Sequence, residues 1–260
     1  MKPRRDAGGA LPIDLPSRES MEGFLSGIVL GGERAATAVE EAQQVMYDAW
    51  DAPNRTQAVS LARKALAISA DCADAYNLLA GETAGSLEEA IDLYAKGVEA
   101  GERALGRQAF EEDAGHFWGL LETRPYMRAR AGLAECLWAA GRRDEAVAHF
   151  QELLRLNPND NQGIRDLPMP RLIELGRDED AEKLFMEFEG DGMAVWMYSR
   201  ALLDFRKHGD APVANASLKK ALAENKHVVP YLAGRKKLPR ELPPYYGFGD
   251  DRECGFSSMM

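Results

Sequence analysis

Two stretches of the chain carry the same residues in the same register. "AGRRDEAVAHF" spans 140–150 and "LGRDEDAEKLF" spans 175–185. Gly141, Ala146 and Phe150 recur as Gly176, Ala181 and Phe185, each 35 residues on (176 − 141). A third stretch, "HGDAPVANASL" at 208–218, places Gly209, Ala214 and Leu218 each 68 residues after the first set (209 − 141), close to two periods. A fixed period of this size restricts the chain to stacked supersecondary units, because one unit cannot bury its apolar face alone.

Period and residue types match a helix-turn-helix unit of roughly 34 residues, the tetratricopeptide repeat. The glycine closes the first helix in a conformation that a Cβ resists. The alanine early in the second helix lets the two helices approach, and the large residue four positions on fills the space beside it. Leu133, Leu137 and Trp138 supply the matching stripe on the preceding helix. Weaker copies begin near Thr37 and Ala73, giving about five repeats over 37–70, 73–106, 124–157, 160–190 and 193–225. The pattern breaks twice. Residues 105–123 are an insertion, in which Phe110, Phe117, Trp118 and Leu121 predict a short amphipathic helix packed on the array. Pro168 and Pro170 fall where the first helix of repeat four should run, so that helix is expected to kink or to begin near Pro170. The expected organisation is all-α: an N-terminal extension over 1–34 with one short helix, partly disordered; a solenoid over 35–228; and a proline-rich capping segment and tail over 229–260. Val229, Tyr231, Leu232, Leu238, Leu242, Tyr245 and Tyr246 are expected to lie over the apolar face of the last helix, which no further repeat covers. The same strip is compatible with a proline-rich ligand for another protein.

The net charge of −10 argues against nonspecific nucleic-acid binding, where basic groups supply most of the affinity. No stretch approaches the roughly 20 apolar residues of a membrane span, and the N-terminus does not read as a signal peptide. The expected location is the cytoplasm. Cys72, Cys136 and Cys254 are too sparse for a disulfide framework. Motifs for nucleotide binding, for zinc hydrolysis and for a nucleophile elbow are absent. One polar pair stands out: Glu112 and His116, four apart on one helical face, the spacing of two metal ligands with no third in view. It supports an enzyme only as a minor alternative; no catalytic residue, metal or cofactor is expected.

The stronger expectation is a groove. The first helices of such repeats line a concave surface, and residues spaced at i, i+3/i+4 and i+7 point into it. The candidates are Asp74 and Asn77 in repeat two; Arg124, Arg128, Glu135 and Trp138 in repeat three; Asn161 and Arg165 in repeat four; and Met197 and Asp204 in repeat five. Arg124, Arg128, Arg130 and Arg165 form a local basic set suited to a carboxylate or an acidic peptide. The competing reading is that "RPYMRAR" pairs with the acidic 111–113 stretch and clamps the insertion.

"DCADAYNLLAGETAGSLEEAIDLYAKGVEAGERALG", "RPYMRARAGLAECLWAAGRRDEAV" and "ENKHVVPYLAGRKKLPRELPPYYGFGDD" together resemble the bacterial, soluble relatives of the suppressor-of-tumorigenicity-seven family of tetratricopeptide proteins, over about 40–250. The resemblance implies an interaction scaffold and carries over no catalytic residues. It also marks departures. Family members in eukaryotes have N-terminal membrane spans, and some bacterial relatives a cysteine-rich zinc-binding tail; neither is seen here. Asp166, Pro168 and Pro170 stand where the family looks apolar, and the ending "DDRECGFSSMM" reads as truncated or frame-altered. The expected partner is a protein or peptide held in the groove, with neither nucleic acid nor membrane, and self-assembly into a homo-oligomer as the alternative.

Overall fold

A computed structural model describes residues 21–23, 25, 36–237 and 249–251. Among the described residues the chain is all-helical, without strands. Its packing divides it into two compact units, residues 1–104 and 105–260, where the sequence predicts one continuous array. The division falls beside Gly106, whose φ of 70° and ψ of 163° interrupt a helix that otherwise runs Leu87–Glu112.

The first unit contains α1 (Ala38–Trp50), α2 (Arg55–Ile68), α3 (Ala73–Thr83) and the body of α4 (Leu87–Glu112). Side-chain oxygens fix the starts. Thr37 accepts from the Glu40 N–H while the Glu40 carboxylate accepts from the Thr37 N–H, a reciprocal capping box. Asn54 caps α2 through the Gln57 N–H, and Ser86 accepts from the Glu89 N–H at the start of α4. The core is built from small residues, Ala42, Ala49, Ala62, Ala65 and Ala75, around Met46 and Leu79. Alanines at the crossings let the backbones approach, so dispersion contacts are dense where side-chain volume is low. Cys72 is buried there as a free thiol; desolvation pushes its pKa up to about 12, which keeps it protonated. Residues 21–23 and 25 are helical and Glu22 is buried.

The second unit contains the end of α4, a 3-10 turn (Phe117–Gly119), α5 (Arg124–Ala139), α6 (Arg143–Leu156), α7 (Pro168–Glu174), α8 (Asp178–Glu187), α9 (Ala194–His208), α10 (Pro212–Glu224) and α11 (Val228–Leu232). The insertion is an aromatic wedge. Phe110 lies 5.1 Å from Phe117 and 5.0 Å from Tyr126, ring centre to ring centre, and Phe117 and Tyr126 are fully buried. Its expected helix is the last part of α4 followed by the 3-10 turn. The Gly115 N–H donates to the Leu156 carbonyl, tying the wedge to the end of α6.

α5 pairs with α6, α7 with α8, and α9 with α10; α7 also packs on α6 and on α9. The repeated glycines explain two of the turns. At Gly141 (φ 77°) the N–H donates to the Trp138 carbonyl and the next N–H, of Arg142, to Leu137; Gly176 (φ 68°) and Arg177 repeat this with Ile173 and Leu172. Both are Schellman closures, which need a left-handed residue. α7 starts at Pro168, where the missing N–H costs nothing because a first-turn donor has no intrahelical partner. The loop before it is held by Asp160, which accepts from the Ile164 and Arg165 N–H groups. Buried Asp166 accepts from the Trp196 indole N–H; burial raises its pKa despite that bond and the nearby Arg165 charge. Of the expected cap, Val229 and Tyr231 are half-buried and Leu232 is exposed, while Leu238, Leu242, Tyr245 and Tyr246 lie outside the described residues.

Candidate docking groove

Most of the predicted groove residues are engaged within the chain. In the first unit, Asp74 is buried and accepts from the Gln43 and Asn77 amides at 2.9 and 3.0 Å. In the second, Glu135 receives both Nη groups of Arg171 at 2.6 and 2.9 Å. The Arg171 guanidinium lies 5.1 Å from the Trp138 ring centre and 4.8 Å from that of Phe150, with its side chain buried. Arg171 thus staples α7 to the α5/α6 pair through a bidentate ion pair and two cation–π contacts. Arg165 bridges Asp160 at 3.1 Å and Asp191 at 2.9 Å, joining the loops before α7 and α9. Arg124 donates to the Trp118 carbonyl at 2.9 Å and lies over that indole, which fastens the insertion. Arg130 donates to the Tyr126 hydroxyl, and Arg128 is half-buried on α5. Asp204 is buried and bonded to Arg200 and Ser217, interactions that hold its carboxyl below the usual aspartate range against desolvation. Met197 is buried; Asn161 is exposed on the loop.

The Glu112 and His116 pair lies at the end of α4 and in the turn that follows it. Glu112 accepts from Gln108 at 2.9 Å and His116 is exposed in the turn before Phe117. Among the described residues no three His, Cys, Asp or Glu side chains are placed to hold a metal ion.

An open surface does exist, and it is apolar. A groove of about 460 Å³ runs between α7, α9, α10 and α11, lined by residues that include Ile173, Val195, Leu202, Phe205, Leu218 and Leu232. Its origin lies in the repeat. Shifted by 68 residues, Leu137 of α5 corresponds to Phe205 of α9, and Phe150 of α6 to Leu218 of α10. Leu137 and Phe150 are 2% and 0% exposed; Phe205 and Leu218 are 56% and 42% exposed. Ala134 and Leu154 are likewise buried, and their counterparts Leu202 and Leu222 are exposed. Among the described residues the difference is cover: α7 packs on α6, whereas the short α11, through Val228, Tyr231 and their contacts with Ala194 and Tyr198, meets the corresponding face of the last pair. The sequence marks this end as an apolar face that no further repeat covers and expects the 229–246 strip to lie over it; Leu238, Leu242, Tyr245 and Tyr246 of that strip lie outside the described residues.

No helix among the described residues is long and apolar enough to cross a membrane. The sequence model of the family described as "ST7 protein" matches residues 34–233. Suppressor of tumorigenicity 7 protein-like from Rattus norvegicus is 29% identical over 222 residues, covering 77% of this chain and 39% of the relative. Protein ST7 homologs from Caenorhabditis elegans and Drosophila melanogaster are each 26% identical, covering 82% and 80% of this chain and 46% and 42% of the relatives. The chain therefore spans less than half the length of these curated relatives. All three are animal proteins, so the matches carry the family and not its bacterial branch. On the match over 34–233, the chain belongs to the ST7 protein family.

Proposed function

We propose that the chain is a tetratricopeptide-repeat interaction module of about five helix pairs that acts in the cytoplasm by holding a helix or peptide of a partner protein, with no catalytic step and no cofactor. The repeat assignment rests on the period of 34–35 residues and on the helix pairs that follow it. The observation that carries the function is the 460 Å³ apolar groove on the last pair. Its volume lies in the range of binding clefts, and its walls are packed helices that need little reordering on binding. The polar candidates support this choice by being spent elsewhere: Glu135, Arg165 and Asp204 bond to Arg171, Asp160 and Arg200 and act as fasteners between elements.

The test is a photo-crosslinking side chain placed at Leu218, with a second protein carrying it at Lys64, exposed on α2 in the first unit. The expected result is a discrete crosslinked protein in the source organism's lysate from position 218 and none from position 64. Identical products from both positions, or a product from 64 alone, sink the reading.

A further inference from the structure

The segment that builds most of the groove differs in charge from the rest of the chain. Residues 194–237 contain nine Lys and Arg against three Asp and Glu, a net of +6 in a chain whose net charge is −10. Arg200, Arg206 and Lys236 are spent on Glu182, Asp178 and Asp251. Arg206 also donates to the carbonyl of Ile173, a groove-lining residue, which sets a guanidinium at the groove's lip. Lys207, Lys219, Lys220 and Lys226 are exposed and form no ion pair with any described residue. Lys219 lies four residues after groove-lining Asn215, on the same side of α10.

We propose that the groove takes an acidic amphipathic helix, an inference that rests on the interaction-module reading above and names its ligand class. Two observations select that occupant. The first is internal precedent: the corresponding face of α5/α6 is covered by a helix, α7, so the geometry of this repeat accepts a helix laid across the pair. The second is charge complementarity. Apolar anchors at i, i+3, i+4 and i+7 fill the trough between Phe205 and Leu218, while carboxylates on its flank meet Lys219 beside the groove, within the positive charge of residues 194–237. A lipid surface fits less well, because the apolar side chains line a concavity in place of a projecting ridge.

The experiment uses the full chain and two labelled synthetic helices with leucines at i, i+3, i+4 and i+7. One carries glutamate at its remaining surface positions, and its twin carries lysine. Binding is read by fluorescence anisotropy. The expected result is that the glutamate helix binds at least about tenfold more tightly than the lysine helix, weakens as salt rises, and loses its advantage in a Lys219→Glu/Lys220→Glu/Lys226→Glu variant. Both helices should be lost in Phe205→Asp/Leu218→Asp, two exposed positions whose change leaves the helical circular dichroism intact. Equal binding of both helices, abolished by Phe205→Asp/Leu218→Asp, overturns the acidic ligand and leaves the groove's function standing. Absence of binding to either helix, together with no crosslink from position 218, overturns both readings. Pelleting with phosphatidylserine vesicles in the absence of helix binding assigns the patch to a membrane and overturns the proposal. A mass that doubles with concentration, abolished by Leu218→Asp and not competed by the glutamate helix, assigns it to a second copy and overturns it equally.

Discussion

The α5/α6 and α9/α10 pairs are two executions of one pattern, and they differ in what lies on top. In the first, Phe150 sits beneath the Arg171 guanidinium and α7. In the second, Leu218 sits at the same register with its side chain in an open groove. A residue's place in a repeat therefore fixes which way it faces, and the neighbouring element fixes whether facing that way means burial. The same position is a packing element in one copy and contact surface in the next.

The largest effect expected from this contrast is on stability. Phe150→Ala should cost about 3–5 kcal/mol in urea unfolding, since it removes a fully buried ring and leaves a cavity. Leu218→Ala should cost less than about 0.5 kcal/mol. Equal costs would show that the groove is closed in solution, and the comparison would break. Next in size is the staple. Arg171→Ala should cost about 2 kcal/mol, less than a fully buried pair because the Glu135 side chain is 45% exposed and can be rehydrated. Arg171→Met, which keeps much of the packing against Trp138 and Phe150, should lose less.

The turns sharpen the contrast further. Gly141 makes a Schellman closure, whereas Gly209 (φ 67°, ψ −152°) donates only to Phe205 in a region that glycine alone occupies readily. Gly209→Asn should therefore cost about 1.5 kcal/mol, and Gly141→Asn, in a left-handed turn that asparagine tolerates, clearly less by the same unfolding assay. The smallest effect is on pH dependence. His149 on α6 is pushed down to about 4 by burial, with the Arg130 charge adding to it. Its folded form resists protonation while the unfolded chain takes up a proton near pH 6.5, so stability falls as pH drops from about 6.5 to 4. After allowance for solvent screening the loss is about 1 kcal/mol. His149→Gln should flatten that part of the profile. The equivalent position on α10 is Ser217, which does not titrate and bonds to Asp204.

The helices were legible because their signals are local. Gly141 and Gly176 mark turns, Ala146 and Ala181 mark close crossings, and Pro168 with Pro170 marks a kink or a start near Pro170, which the structure resolves as a start at Pro168; each acts within a few residues of itself. The site was not legible for the opposite reason. Arg165 and Glu135 look like ligand groups in sequence, and their partners lie 26 and 36 residues away, Asp191 and Arg171. Whether a charged side chain is spent or spare depends on such distant pairings, and so does whether Leu218 is covered. Asp166 shows the same thing: it breaks the apolar pattern, and only the fold reveals the Trp196 indole that it receives.

The uneven placement of charge has a consequence for time as well as for affinity. Within the second unit, residues 105–193 carry eleven basic against eighteen acidic side chains, and 194–237 reverse that sign. The basic residues of the unit's described part are therefore concentrated in the segment that supplies most of the groove's lining. For the proposed acidic ligand, an approach within a Debye length, about 8 Å at physiological salt, would be favoured by this charge before any apolar contact is made. Arrival would be set by ionic strength and departure by how well the trough is filled, so the two rates can be tuned by separate sets of residues.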